Sequence, residues 1–176
     1  MSTPATIIVK VKKEDIGSVR KCNVADINLR TEKMFIESYI KIFGEKKGSE
    51  IALNYIHAGS DKVPNKEEFI SKIEPVELGN FIEIYHHWDG FPDSLGDELL
   101  KHFNTYESAL NLMLGGDVST IVDGSVPYIS VGRPWEESKP TILDEVADCT
   151  MNYQYLFKNG KWYYRTFSNK KFKRLI

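Results

Sequence analysis

The chain has 176 residues, a hydrophobic share of 41% and a formal net charge of −2. That length buries a core without disulfide or metal staples, and the near-neutral balance gives no global pull toward nucleic acid or anionic membrane. No apolar run reaches membrane-spanning length, and Cys22 and Cys149 form no CxxC pair, so a disulfide framework or zinc ribbon is not expected. The start, Met1-Ser2-Thr3-Pro4, lacks the basic and apolar regions of a targeting peptide. The expectation is one domain, 1–176, cytoplasmic, with reduced thiols, no cofactor and no membrane partner.

Residues 6–12 are rich in β-branched side chains and alternate at their end, which predicts a strand. A polar stretch over 13–23 leads to a short strand expected within 24–29. Thr31 can cap a helix whose Met34, Phe35, Tyr39, Ile40 and Phe43 share one face, with Gly44 as its stop. A second helix is predicted from Ser49 to about Gly59. A third runs from Asn65 to Ile73, with Asn65 and Glu68 as a capping pair and Pro75 as terminator. The block 31–75 therefore reads as a helical insertion beside a sheet.

The sheet resumes at 81–86. Alternation puts Phe81, Glu83 and Tyr85 on one face and Ile82, Ile84 and His86 on the other, with His87 returning to the first. Trp88-Asp89-Gly90-Phe91-Pro92 reads as a turn into a helix carrying Leu95, Leu99 and Leu100. Thr105 caps the next helix, which Gly115-Gly116-Asp117 closes. An edge-like strand holding Pro127 is expected over 126–131, then a loop over 132–140. Residues 141–147 are ambiguous. Residues 151–167 form the clearest unit, two aromatic-rich strands joined by Asn159-Gly160, a pair that tolerates positive φ. The basic run 170–174 reads as a solvated tail, with a phosphate-binding arm as the alternative. The sum is an α+β fold: a mostly antiparallel sheet of about five strands packed with helices, with a helical insertion near residues 31–75.

Chemistry concentrates in 84–96, where two His, a Trp, two Asp and two Gly follow an apolar strand. His86 and His87 point to opposite faces and cannot easily share one metal. The structural reading keeps one in the core, hydrogen-bonded, and the other at the strand end. A metal would need Asp89, Asp93 or His102 as well, at a spacing that matches no zinc pattern. Asp89-Gly90 suits a tight turn, and Asp93 or Ser94 can cap a helix. Trp88 suits a core anchor or a stacking platform equally. Aromatic faces beside guanidinium groups suit a nucleotide pocket, since rings stack on a base and Arg binds phosphate. Tyr85, His87, Trp88, Asp89 and Asp93 are the candidates for one wall, and Arg133, Trp135 and Arg165 for another. No residue is assigned a catalytic or metal-binding role, because no Walker, Rossmann, Gly-x-Ser-x-Gly or HExxH pattern is present.

His87-Trp88-Asp89-Gly90-Phe91-Pro92 with Gly96 resembles the signature of a family of small bacterial and phage proteins marked by an HWDGYP-type motif. Supporting stretches are Lys12 to Gly17, Tyr106 to Asp117, and the Tyr-Leu-Phe-Lys-Asn-Gly-Lys-Trp-Tyr hairpin, 155–163. The likeness covers 5–20 and roughly 80–167. His86 stands where Cys is more frequent, and Phe91 where Tyr is. The resemblance implies a phage-associated cytosolic protein and carries nothing about catalysis. The expected function is a non-catalytic binding protein, in the phage setting a counter-defence protein sequestering a small nucleotide-like signal. The alternatives are a phosphoester hydrolase or nuclease using His87 and Asp89, and a protein-interaction module. Expected partners are a nucleotide-like small molecule, a host protein or a second copy of the chain, and not nucleic acid.

Overall fold

A computed structural model describes residues 2–23, 32–58, 64–126 and 135–176. The architecture is α+β. In chain order the elements are β1 (Ala5–Lys10), β2 (Val19–Arg20), α1 (Glu32–Phe43), α2 (Glu45–Ala58), α3 (Lys66–Lys72), β3 (Val76–Glu77) and β4 (Phe81–His86). There follow one π-helical turn (Pro92–Gly96), α4 (Asp97–His102), α5 (Tyr106–Leu114), α6 (Trp135–Ser138), β5 (Thr141–Leu143), β6 (Tyr153–Lys158), β7 (Lys161–Thr166) and β8 (Lys173–Arg174). A short 3-10 turn at Lys13–Asp15 joins β1 to β2.

Six strands make the main sheet, in the order β5-β4-β1-β6-β7-β8, and β2 pairs with β3 in a small ribbon. Among the described strands every pairing is antiparallel except β1 with β6. β1 lies inside the sheet, and Ala5, Ile7, Ile8 and Val9 are all fully buried. Burial on both faces explains why this strand reads as a continuous apolar run rather than an alternation. β4, by contrast, buries Ile82, Ile84 and His86 and leaves the residues between them half-exposed, as its alternation predicts.

One sheet face carries the main core. Ile7, Val9, Ile82, Ile84, Tyr155, Phe157 and Trp162 meet Leu95, Leu99, Ala109, Leu112 and Met113 from the helices after β4. Each fully buried aliphatic or aromatic side chain contributes about 1.5–3 kcal/mol relative to exposure. Trp162 adds an anchor, its Nε1–H donating to Phe103 O at 2.8 Å. A second cluster joins Tyr39, Ala52, Phe69 and Ile73 of the helical block to Cys22 and Trp135.

The structure departs from the sequence expectations at several points. β8 forms within the basic run expected to be a tail, and β5 in the ambiguous stretch, which brings the expected sheet of about five strands to six among the described residues. Both are short edge strands whose pairing is decided by their neighbours, not by pattern. α2 starts at Glu45, one residue after Gly44 turns the chain with φ +88. Asn65 stands at the start of α3 but caps nothing. Its φ is 52, and its side-chain amide donates to Glu68 Oε2 at 3.3 Å. Thr105 does cap α5, with Ser108 completing a reciprocal box. The hairpin turn is as expected, Asn159 and Gly160 having φ of 51 and 73. The strand expected at 24–29 and the Thr31 cap lie outside the described residues. So does the strand expected at 126–131, save Val126, which is in no strand.

Candidate functional site

The face of the sheet opposite the main core holds an open cleft of about 650 Å³. Its floor is built by alternation: Thr6 of β1, Glu83 and Tyr85 of β4, and Thr141 of β5, which pairs with Glu83. His87, Asp117, Glu137, Lys139, Thr150 and Met151 supply the walls. Burial pushes the Glu83 carboxyl above its ordinary pKa.

Three rings stand in sequence, two of them on the cleft lining and the third against the second. Tyr85 Oη and His87 Nδ1 lie 2.8 Å apart in a hydrogen bond. The His87 ring then meets Trp88 edge-on, with centroids 4.5 Å apart and planes at 80°. The backbone beneath is firmly tied. Tyr85 N–H donates to Asp117 Oδ1 at 2.8 Å, and Val118 N–H donates to Tyr85 O at 2.8 Å. His87 and Trp88 N–H donate to Val118 O and Ser119 O. Asp117 thus continues the sheet edge that β5 leaves unpaired beyond Glu83.

Next comes a strand-to-helix corner. Asp89 has φ 54, and its carbonyl accepts the Ser94 hydroxyl at 2.6 Å. Gly90 donates to Thr3 O at 2.8 Å and accepts the buried Tyr155 hydroxyl at 2.7 Å. A Cβ at Gly90 would stand 2.5 Å from Thr3 O and 2.9 Å from Ala5 Cβ. Only glycine permits this close approach of backbone to backbone.

The cleft gathers some of the predicted residues and not others. Tyr85 and His87 line it, and Trp88 abuts His87. The Asp89 side chain is exposed at the corner. Asp93 lines a separate cleft of about 230 Å³ with Asp97, Tyr164 and Arg174. Trp135 is 4% exposed, and its ring covers Gly116, whose φ is +78. It anchors α6 in the second core cluster. Arg165 is tied into the fold: Nε donates to Gln154 Oε1 at 2.6 Å, one terminal nitrogen to Ala147 O at 2.8 Å and the other to Lys170 O at 3.1 Å. Its guanidinium fastens the 144–150 loop onto the hairpin. Arg133 lies outside the described residues.

His86 is in the core, 1% exposed, but the hydrogen bond expected for it is not there. Neither ring nitrogen has a partner. Burial, helped by neighbouring His87, pushes its pKa down to about 3, so the imidazole is neutral at physiological pH.

Sequence reading missed Glu83, Asp117, Glu137 and Lys139 as site residues. Glu83 had a visible signal, since a carboxylate between Ile82 and Ile84 shares a face with Tyr85. The others come from distant segments and carried none. Among the described residues, no group of three or more His, Cys, Asp or Glu side chains is arranged to hold a metal ion.

No family model matches the chain, and searches of curated proteins and of solved structures give no match. The geometry of the cleft therefore carries the functional argument.

Proposed function

We propose that this protein binds a small nucleoside-like molecule, without turnover, in the cleft over β1, β4 and β5. The carrying observation is an open cleft of about 650 Å³ lined by Tyr85, His87 and carboxylates, with Trp88 packed against His87. A pocket of this volume suits a compact ligand. Ring edges and faces accept a flat base. Glu83 and Glu137 accept hydrogen bonds from amino and hydroxyl groups. Among the described lining residues carboxylates outnumber cations, and Lys139 itself pairs with Glu136 at 3.1 Å. The wall chemistry thus favours the base and sugar of a ligand inside, with any phosphate directed outward past Lys139. In the setting that the family resemblance implies, such binding is sequestration of a host nucleotide signal.

The test is native mass spectrometry of the protein after incubation with a panel of nucleosides and nucleotides, alongside the His87→Ala and Glu83→Gln variants. The expected result is a bound mass released unchanged on denaturation and lost in both folded variants. Absence of any bound mass, or release of a hydrolysed product, overturns the proposal. The second outcome would favour phosphoester hydrolysis involving His87, since Asp89 does not line the cleft.

A further inference from the structure

Charge in this chain is segregated. Residues 149–176 carry seven Lys or Arg and no Asp or Glu, whereas residues 1–148 carry 16 Lys or Arg against 25 Asp or Glu. The net charge of −2 conceals this division. The fold assembles the basic segment into β6, β7 and β8, consecutive strands reaching one edge of the main sheet.

Three local features make this edge more than a solvated run. Lys158 and Lys161 face each other across the hairpin, and like charges directly opposite destabilise a ladder. Cations and rings also alternate along one face: the Lys158 ammonium lies 5.0 Å from the Tyr163 ring, and the Arg165 guanidinium 4.6 Å from Phe172. Phe167, continuing that alternation, is 67% exposed. Finally, Arg165, Thr166, Asn169, Lys171 and Lys173 line a small cleft of about 80 Å³. Among the described residues no salt bridge engages any cation of this segment. The acidic 144–148 loop, held to Arg165 through Ala147 O, bounds the surface on one side.

We propose that the β6–β7–β8 edge binds single-stranded nucleic acid. Lysines neutralise successive phosphates, and the exposed Phe167 ring, with the half-buried Tyr163 and Phe172 beside it in the pattern, stacks on unpaired bases. A duplex hides its base faces from such rings, and a lipid surface would call for clustered apolar side chains rather than rings spaced between charges. The site is independent of the ligand cleft and acts whether or not that cleft is occupied.

Fluorescence anisotropy with a labelled 12-nucleotide oligo(dT) tests this on the full chain. Neutralising about four phosphates predicts a slope near −3 for log affinity against log salt, or roughly 50-fold weaker binding at 200 mM than at 50 mM. The combined Lys170→Glu, Lys171→Glu and Lys173→Glu variant, folded by circular dichroism, loses about tenfold or more in affinity. Phe167→Ala weakens oligo(dT) binding about fivefold or more and leaves duplex binding unchanged. No binding at 50 mM salt overturns the proposal. So does charge reversal without effect, equal losses for duplex and single strand in Phe167→Ala, or tighter binding to phosphatidylserine vesicles than to oligo(dT).

Discussion

His86 gives the sharpest prediction about stability. Its imidazole is buried at the end of β4 with neither nitrogen bonded, and its pKa is held down to about 3 against an ordinary 6.5. Folding therefore selects the neutral ring. As pH falls below 6.5 the unfolded chain takes up a proton that the folded chain refuses, so stability drops. The loss continues until the folded state itself protonates near pH 3. Each pH unit in that window costs about 1.4 kcal/mol. Between pH 8 and pH 4.5 the His86 contribution is roughly 2–3 kcal/mol, a large part of a typical domain's stability. His86→Leu removes the titrating group and relieves two unsatisfied buried nitrogens, each of which costs about 1–3 kcal/mol. The variant should be at least as stable as wild type at pH 8 and should lose about 2–3 kcal/mol less on going to pH 4.5. Urea unfolding followed by tryptophan fluorescence at pH 8, 6 and 4.5 measures both. Parallel loss of stability in the two proteins between pH 6 and 4.5 would refute the reasoning.

Three further predictions rest on local contacts. Gly90→Ala forces a Cβ against Thr3 O and Ala5 Cβ and should cost about 2–4 kcal/mol, read as a lower melting temperature. Thr105→Ala removes the cap on the Ser108 amide and should cost about 1 kcal/mol in denaturant unfolding, without moving any cleft residue. Arg165→Met keeps the stem but releases the Ala147 and Lys170 carbonyls and Gln154. Limited proteolysis should then cut the 144–150 loop faster than in wild type, while global stability falls by less than for Gly90→Ala.

The elements written in local pattern were legible from the chain alone. The Asn159-Gly160 hairpin declares itself because only certain residues tolerate its two positive φ angles. Alternation in 81–86 assigned both faces of β4, and with them the opposite fates of His86 and His87. The Thr105 cap begins α5 where its residues say a helix should, and the helical corner starts at Pro92 as expected, but neither Asp93 nor Ser94 caps a helix there. Local pattern fails where pairing comes from elsewhere. β5 and β8 are two- or three-residue edges that exist because β4 and β7 offer free ladders. Asp117 supplies the last rung of β4 from 32 residues away. The candidate site divides in the same way. Tyr85, His87 and Trp88 are neighbours in sequence and remain so in space. Arg165 and Trp135 carry side chains that suit a ligand wall, but tertiary contacts bind one to loop carbonyls and bury the other on Gly116. Residue type sets what a side chain can do. Only the packing of distant segments decides whether its polar atoms are left to face a ligand or are consumed in holding the fold.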